Sequence, residues 1–131
     1  MVIVNDAPEY GPFSSVISAA HVLSHREIAG AFVLPVDVPV PQKTVWQRMA
    51  DGLTGSIRAC VPVFDGKGGH PVLLASSFLA DLARFPTDSP ESRLDIQIRN
   101  LPDHQRRLIP VADSGILKNM NRPTDFSAGS D

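Results

Sequence analysis

Four stretches of the 131-residue chain carry side chains and backbone suited to chemistry. The first is Ala31-Phe-Val-Leu-Pro-Val-Asp37-Val-Pro39, an apolar run that ends in a carboxylate and two prolines. In open α/β sheets, ligands bind outside the carboxyl ends of the strands. A carboxylate there can hold Mg²⁺, which takes one or two protein carboxylates and fills its shell with water and phosphate oxygens. The same Asp37 could instead do no more than close the turn that follows the strand.

The second stretch is Asp65-Gly-Lys-Gly-Gly-His70-Pro71. Its glycines let backbone approach a ligand closely, and Lys67 and His70 could meet an anionic or heteroaromatic group. The competing reading is a hairpin connection whose glycines serve positive φ alone. It lacks the Lys-Ser/Thr step that opens the helix in phosphate-binding loops. The third stretch, Gly11-Pro-Phe-Ser14-Ser15, lies at a predicted helix start, where free N–H groups and the helix dipole favour anions. On the residues alone, plain capping by the serines is the stronger reading. The fourth is Asn119-Met-Asn121-Arg-Pro123-Thr-Asp125, whose residue types are those of turns.

Other constellations fail on spacing or context. His21 and His25 stand four apart on a predicted helix, a zinc-compatible spacing, but no Glu follows the first and no third ligand is evident. No Gly-x-Ser-x-Gly elbow supports a hydrolase triad. The single Cys60 lies in the apolar run Ile57–Val63 and reads as a buried structural thiol.

The elements that must hold these groups follow from periodicity and punctuation. Val2–Val4 reads as a strand. Pro12 to about His25 reads as a helix with Phe13, Val16, Ile17, Ala20, Val22 and Leu23 on its apolar face. Ala31–Val36 reads as a short strand buried on both faces of a parallel sheet. A helix is expected from about Gln42 to Gly52, with Val45, Trp46 and Met49 inward. Strands are expected over 57–64, 72–75 and 107–111, with a brief extended piece at Ile116-Leu117. A helix capped by Ser76 or Ser77 should reach about Phe85, and another should span Glu91–Asn100 with Leu94, Ile98 and Leu101 inward. Strands alternating with helices predict one α/β domain over residues 1–126, in three layers with a mostly parallel sheet. Residues 127–131 read as a flexible tail.

Composition bounds the class. Hydrophobic residues make up 43% and charged residues 20%, a globular balance, and twelve prolines imply short elements with stiff connections. A net charge of -2 with no basic stripe argues against nucleic acid as a partner. No apolar run approaches the roughly 20 residues that span a bilayer, so a cytoplasmic protein with no membrane partner is expected.

Taken in order, Gly11-Pro-x-Ser-Ser, Leu34-Pro-Val-Asp-Val-Pro39, Gly66-Lys-Gly-Gly-His-Pro71 and Asn119-Met-Asn-x-Pro-x-Asp125 resemble the MobA/MocA-like nucleotidyltransferases of the molybdenum cofactor. The Gly-Gly-His-Pro element looks most like the cytidylyltransferase branch. The resemblance implies a nucleotide-diphospho-sugar transferase-like fold that is N-terminally truncated, lacking the glycine-rich triphosphate loop and its Lys. It implies Mg-dependent transfer of a nucleotide from CTP or GTP to a phosphate-bearing acceptor such as molybdopterin. Asp37 would be the catalytic metal ligand, with Asn119 or Asn121 as the second metal contact. Ser14 and Ser15 would lie by the nucleotide base, and Gly69, His70 and Pro71 would wall the acceptor pocket.

The missing segment also implies alternatives: a domain of the same fold that binds without catalysis, or half of a split enzyme. In the family's topology the absent strand neighbours the one ending at Asp37. Its loss would leave unpaired backbone groups, each costing about 1–3 kcal/mol. That implies a homodimer, a partner chain over the exposed sheet edge, or an inward shift of Val2–Val4.

Overall fold

A computed structural model describes residues 12–23, 25–35, 37–85 and 93–118, with the backbone alone over 12–15. The elements run α1 (Pro12–Leu23), β1 (Gly30–Val33), α2 (Lys43–Gly52), β2 (Ala59–Phe64), β3 (Lys67–Gly68), β4 (Val72–Ala75), α3 (Ser76–Leu82), α4 (Leu94–Arg99) and β5 (Arg106–Pro110). A 3-10 turn over Ser114–Leu117 closes the described chain. The expected strand Val2–Val4 and the 127–131 tail lie outside the described residues.

The sheet is ordered β1-β4-β2-β3, with β5 on β2. β4 is antiparallel to both β1 and β2, and β5 is parallel to β2. β1, β2 and β5 therefore point one way, with β4 inserted in reverse between the first two. Three of the four longer strands share a direction, as alternating strands and helices predict, but only the β2–β5 pairing is parallel among the described residues.

Alternation along the strands separates two cores. Val72 and Leu74 of β4 and Ala59 of β2 face Ile17 and Ala20 of α1, Phe78, Leu79 and Leu82 of α3, and Ile98 of α4. Leu73 and Cys60 face the opposite way, onto Val45 and Met49 of α2, with Ile109 and Ile116. Helices thus cover both faces, and the architecture is three-layered.

The strand buried on both faces is β4, with all four residues buried, and not Ala31–Val36. β4 has a partner strand on each side, whereas β1 has one among the described residues. β1 stops at Val33; Gly30, Ala31 and Val33 are half-buried, and Phe32 is exposed and meets Trp46 edge-on with ring centroids 4.8 Å apart. Among the described residues β1 pairs with β4 alone. The N–H and C=O of Gly30 and Phe32 point away from β4, because in an antiparallel ladder alternate residues do so and Ala29 C=O accepts from Ser76 N–H.

Other expectations shift for local reasons. α1 ends at Leu23, so His25 falls beyond it and the two histidines do not share a helix. Ala75, not a serine, is the N-cap of α3; the Ser77 hydroxyl instead accepts from Arg58, whose guanidinium also pairs with Asp81. Ile116-Leu117 is in the 3-10 turn and not extended, since Asp113 caps Gly115 N–H and curls the chain. Ile98 and Leu101 are buried as expected, beneath α4.

The glycine-rich segment divides in two. Asp65 (φ 52°) and Gly66 (φ 77°) form the two-residue turn between β2 and β3, the double positive φ that matches strand twist. Pro62, within β2, sits where β4 pairing has stopped and β3 pairing has not begun. It is paired with Ile109 of β5, and its carbonyl accepts from Gly69 N–H at 2.9 Å. A Cβ on Gly69 would overlap the carbonyl oxygen of Ile116, so this glycine permits close backbone approach.

Gly66→Ala should cost about 1 kcal/mol, from positive φ in otherwise open space. Gly69→Ala should cost more, roughly 3 kcal/mol, because the backbone of Ile116 must move. Urea unfolding of both variants checks the order, and equal costs would contradict the close approach.

Candidate functional site

The sheet's topology selects the edge. β1 and β5 finish on the side where β4 begins, and Val33 is paired with Val72. The segment after β1 therefore lies beside the segment before β4. The turn Pro35–Val38, closed by Val38 N–H to Pro35 C=O at 3.1 Å, carries Asp37, which is half-buried. The chain then runs through Pro39-Val-Pro41 to α2.

His70 lies close enough to Asp37 to feel its charge. Burial pushes its imidazole below the ordinary value of 6.5, and the negative charge of Asp37 partly opposes the shift. Burial is the larger cause, so the folded protein holds His70 neutral. Its Nδ1 is buried with no hydrogen-bond partner among the described residues. Asp37 takes part in no ion pair among those residues. A half-buried carboxylate with no ion-pair partner among the described residues, near a neutral ring, fits a cation ligand. One such carboxylate is within what Mg²⁺ requires when substrate oxygens complete its shell. No group of three or more His, Cys, Asp or Glu able to hold a metal occurs among the described residues, so no all-protein cage is present there.

Backbone hydrogen bonds hold the neighbouring segments. His70 N–H donates to Ile116 C=O at 2.9 Å, tying the Gly69-His70-Pro71 segment to the 3-10 turn. Asp113, half-buried just beyond β5, accepts from Gly115 N–H through Oδ1 and from Gln42 N–H through Oδ2, each at 2.9 Å. A Cβ on Gly115 would lie 3.7 Å from Pro39 Cγ, so the Asp37 loop and the 3-10 turn are in contact.

The structure thus brings Asp37, Gly69, His70 and Pro71 together. Ser14 and Ser15 lie in the first turn of α1, where the backbone alone is described. Asn119 and Asn121 lie outside the described residues, although Lys118, directly before Asn119, ends the 3-10 segment at this edge. Lys67 is exposed on β3 at the tight turn. Sequence reasoning missed Asp113. Its signal was available: a carboxylate just past a strand, two residues before a glycine, the spacing of an Asx turn. Cys60 is fully buried as expected, and burial raises its thiol pKa while Arg107 partly opposes the shift.

An α/β sheet with a carboxylate and backbone segments gathered at the strand ends has its candidate site where open α/β sheets bind ligands. The model of one family, the MobA-like NTP transferase domain, matches residues 1–103, and the chain belongs to that family. It has the nucleotide-diphospho-sugar transferase-like α/β fold and a nucleotidyltransferase-like function. The match covers Asp37 and Gly69-His70-Pro71, while β5 and Asp113 follow it. A search of curated proteins returned no match. No helix among the described residues is long and apolar enough to cross a membrane.

Two measurements check the site. The unfolded chain protonates His70 near pH 6.5 and the folded chain only below that. The folded state then binds fewer protons, so stability from this residue is present above about pH 6.5 and is lost as pH falls. His70→Gln should therefore flatten the fall in urea midpoint on acidification relative to the unsubstituted chain. A disulfide reagent should label Cys60 at most a few per cent as fast in the folded chain as in urea; equal rates would contradict its burial.

Proposed function

We propose that this chain transfers a nucleotide from CTP or GTP to a phosphate-bearing acceptor such as molybdopterin, with Mg²⁺ held at Asp37. The carrying observation is the placement of Asp37: half-buried, beyond the end of β1, in no ion pair among the described residues, and close enough to His70 for its charge to be felt there. An acceptor phosphate oxygen would attack the α-phosphorus, the bond to the β-phosphate would break, and pyrophosphate would leave. Such transfers depend on positioning and charge neutralisation more than on covalent chemistry by the protein. Mg²⁺, when bound, would neutralise the phosphate oxygens.

This chain's own residues would do the rest. Asp37 would anchor the cation, with Asn119 or Asn121 as its second contact. Gly69, His70 and Pro71 would wall the acceptor side, the neutral imidazole adding no positive charge against the metal. Ser14 and Ser15, at the start of α1, would lie by the base.

Calorimetry with CTP or GTP plus Mg²⁺ tests this. Binding at or below millimolar nucleotide is expected, and Asp37→Asn should weaken it at least tenfold, about 1.4 kcal/mol. No heat at millimolar nucleotide would sink the proposal. Heat without pyrophosphate release, in the presence of molybdopterin, would leave binding without catalysis as the function.

A further inference from the structure

We infer that Asp113 is a positioning residue that locks the Asp37 loop, the 3-10 turn and the His70 segment into one ligand-facing unit. Asp113 touches neither Asp37 nor His70 by any hydrogen bond described. It acts through the two N–H groups that its carboxylate accepts and through the backbone bond that follows from them.

Its two oxygens serve different purposes. Oδ1 accepts from Gly115 N–H, two residues on, and shapes the local turn. Oδ2 accepts from Gln42 N–H, 71 residues away in sequence. Gln42 is the N-cap of α2, its own side chain makes no capping bond, and the first turn of α2 holds no acidic residue. Asp113 therefore supplies from another segment the negative charge that a helix start favours. It also fixes the end of the loop Asp37–Pro41, since Gln42 is the next residue.

The 3-10 turn passes this constraint onward. Its Ile116 side chain is fully buried in the α2-side core, and its Ile116 carbonyl accepts from His70 N–H at 2.9 Å. Gly115 leaves room for Pro39 on one side and Gly69 leaves room for Ile116 on the other. Loop, turn and His70 segment are thus packed at backbone distance, and the Asp113–Gln42 bond is the described hydrogen bond that joins the 3-10 segment to the end of the Asp37 loop. The inference rests on the proposed function only for what the unit binds; the clamp itself is a property of the unliganded chain.

Two substitutions break the link from opposite ends. Asp113→Asn keeps one oxygen, enough for Gly115, and presents an NH₂ that cannot accept from Gln42. Gln42→Pro removes the donor at a residue whose φ of -60° already suits proline. Asp103→Asn, at an exposed carboxylate paired with Arg106, is the control. Amide hydrogen exchange on the unliganded full chain is the first readout. Asp113→Asn and Gln42→Pro should each speed exchange of the His70 amide at least tenfold while the α3 amides stay unchanged. The double variant should lose no more than either single one, because both remove one bond.

Affinity for Mg²⁺ with CTP or GTP is the second readout, and each single variant should lose about tenfold with Asp103→Asn unaffected. A His70 amide that exchanges as in the unsubstituted chain would overturn the clamp. Looser amides with unchanged nucleotide affinity would overturn its role in positioning. An unsubstituted chain that binds no nucleotide would sink the proposed function, and the exchange result alone would then decide the clamp.

Discussion

Burial of β4 on both faces is the constraint on which the rest of the structure depends. Val72 and Leu74 complete one core and Leu73 the other, so this four-residue strand joins the α1–α3–α4 layer to the α2 layer. Because it is reversed relative to β1 and β2, its beginning lies where their ends lie. That single reversal carries His70 and Pro71 to Asp37. A parallel strand in the same slot would place its start at the opposite edge of the sheet and separate the two segments by the strand's length.

The edge so formed is polar in a selective way. Asp37 contributes a negative charge, His70 an uncharged ring kept neutral by burial, and the Asp113 carboxylate is engaged by two backbone N–H groups. Burial opposes protonation of the ring more strongly than the adjacent carboxylate favours it. The carboxylate is thereby left without a cationic neighbour from His70, which keeps it available to a bound cation. Hydrogen bonds from Gly69 and His70 are spent on Pro62 and Ile116, so these residues are held by backbone and not by their side chains.

The glycines of the Asp65–Pro71 segment divide between the two readings that sequence left open. Gly66 serves the positive φ of a tight turn, as a hairpin connection requires. Gly69 serves close approach, but to Ile116 of the same chain. Its role in the fold is therefore fully accounted for by packing, and any contact with an acceptor would come in addition. Asp113 shows the converse. It looks like an ordinary turn residue, and its longer-range hydrogen bond to Gln42 joins two segments of the edge.

Periodicity and punctuation alone determined the helices α1, α2 and α4, the β2 and β5 strands, the burial of Cys60 and the α/β class. Each depends on local spacing of apolar residues, which the chain displays directly. The motif order was also legible, and it pointed to the family that the 1–103 match establishes. The tertiary structure decided what local spacing cannot encode. It made β4 and not β1 the doubly buried strand, because burial depends on a strand's position in the sheet. It moved the N-cap of α3 to Ala75, while Arg58, just before β2, engages the Ser77 hydroxyl. It also joined Gln42 to Asp113 across 71 residues. Asp37 stood out in the sequence because a carboxylate after an apolar run is a local signal, and the motifs singled out Gly69, His70 and Pro71; that the two segments adjoin follows from the reversed strand, which no local pattern encodes.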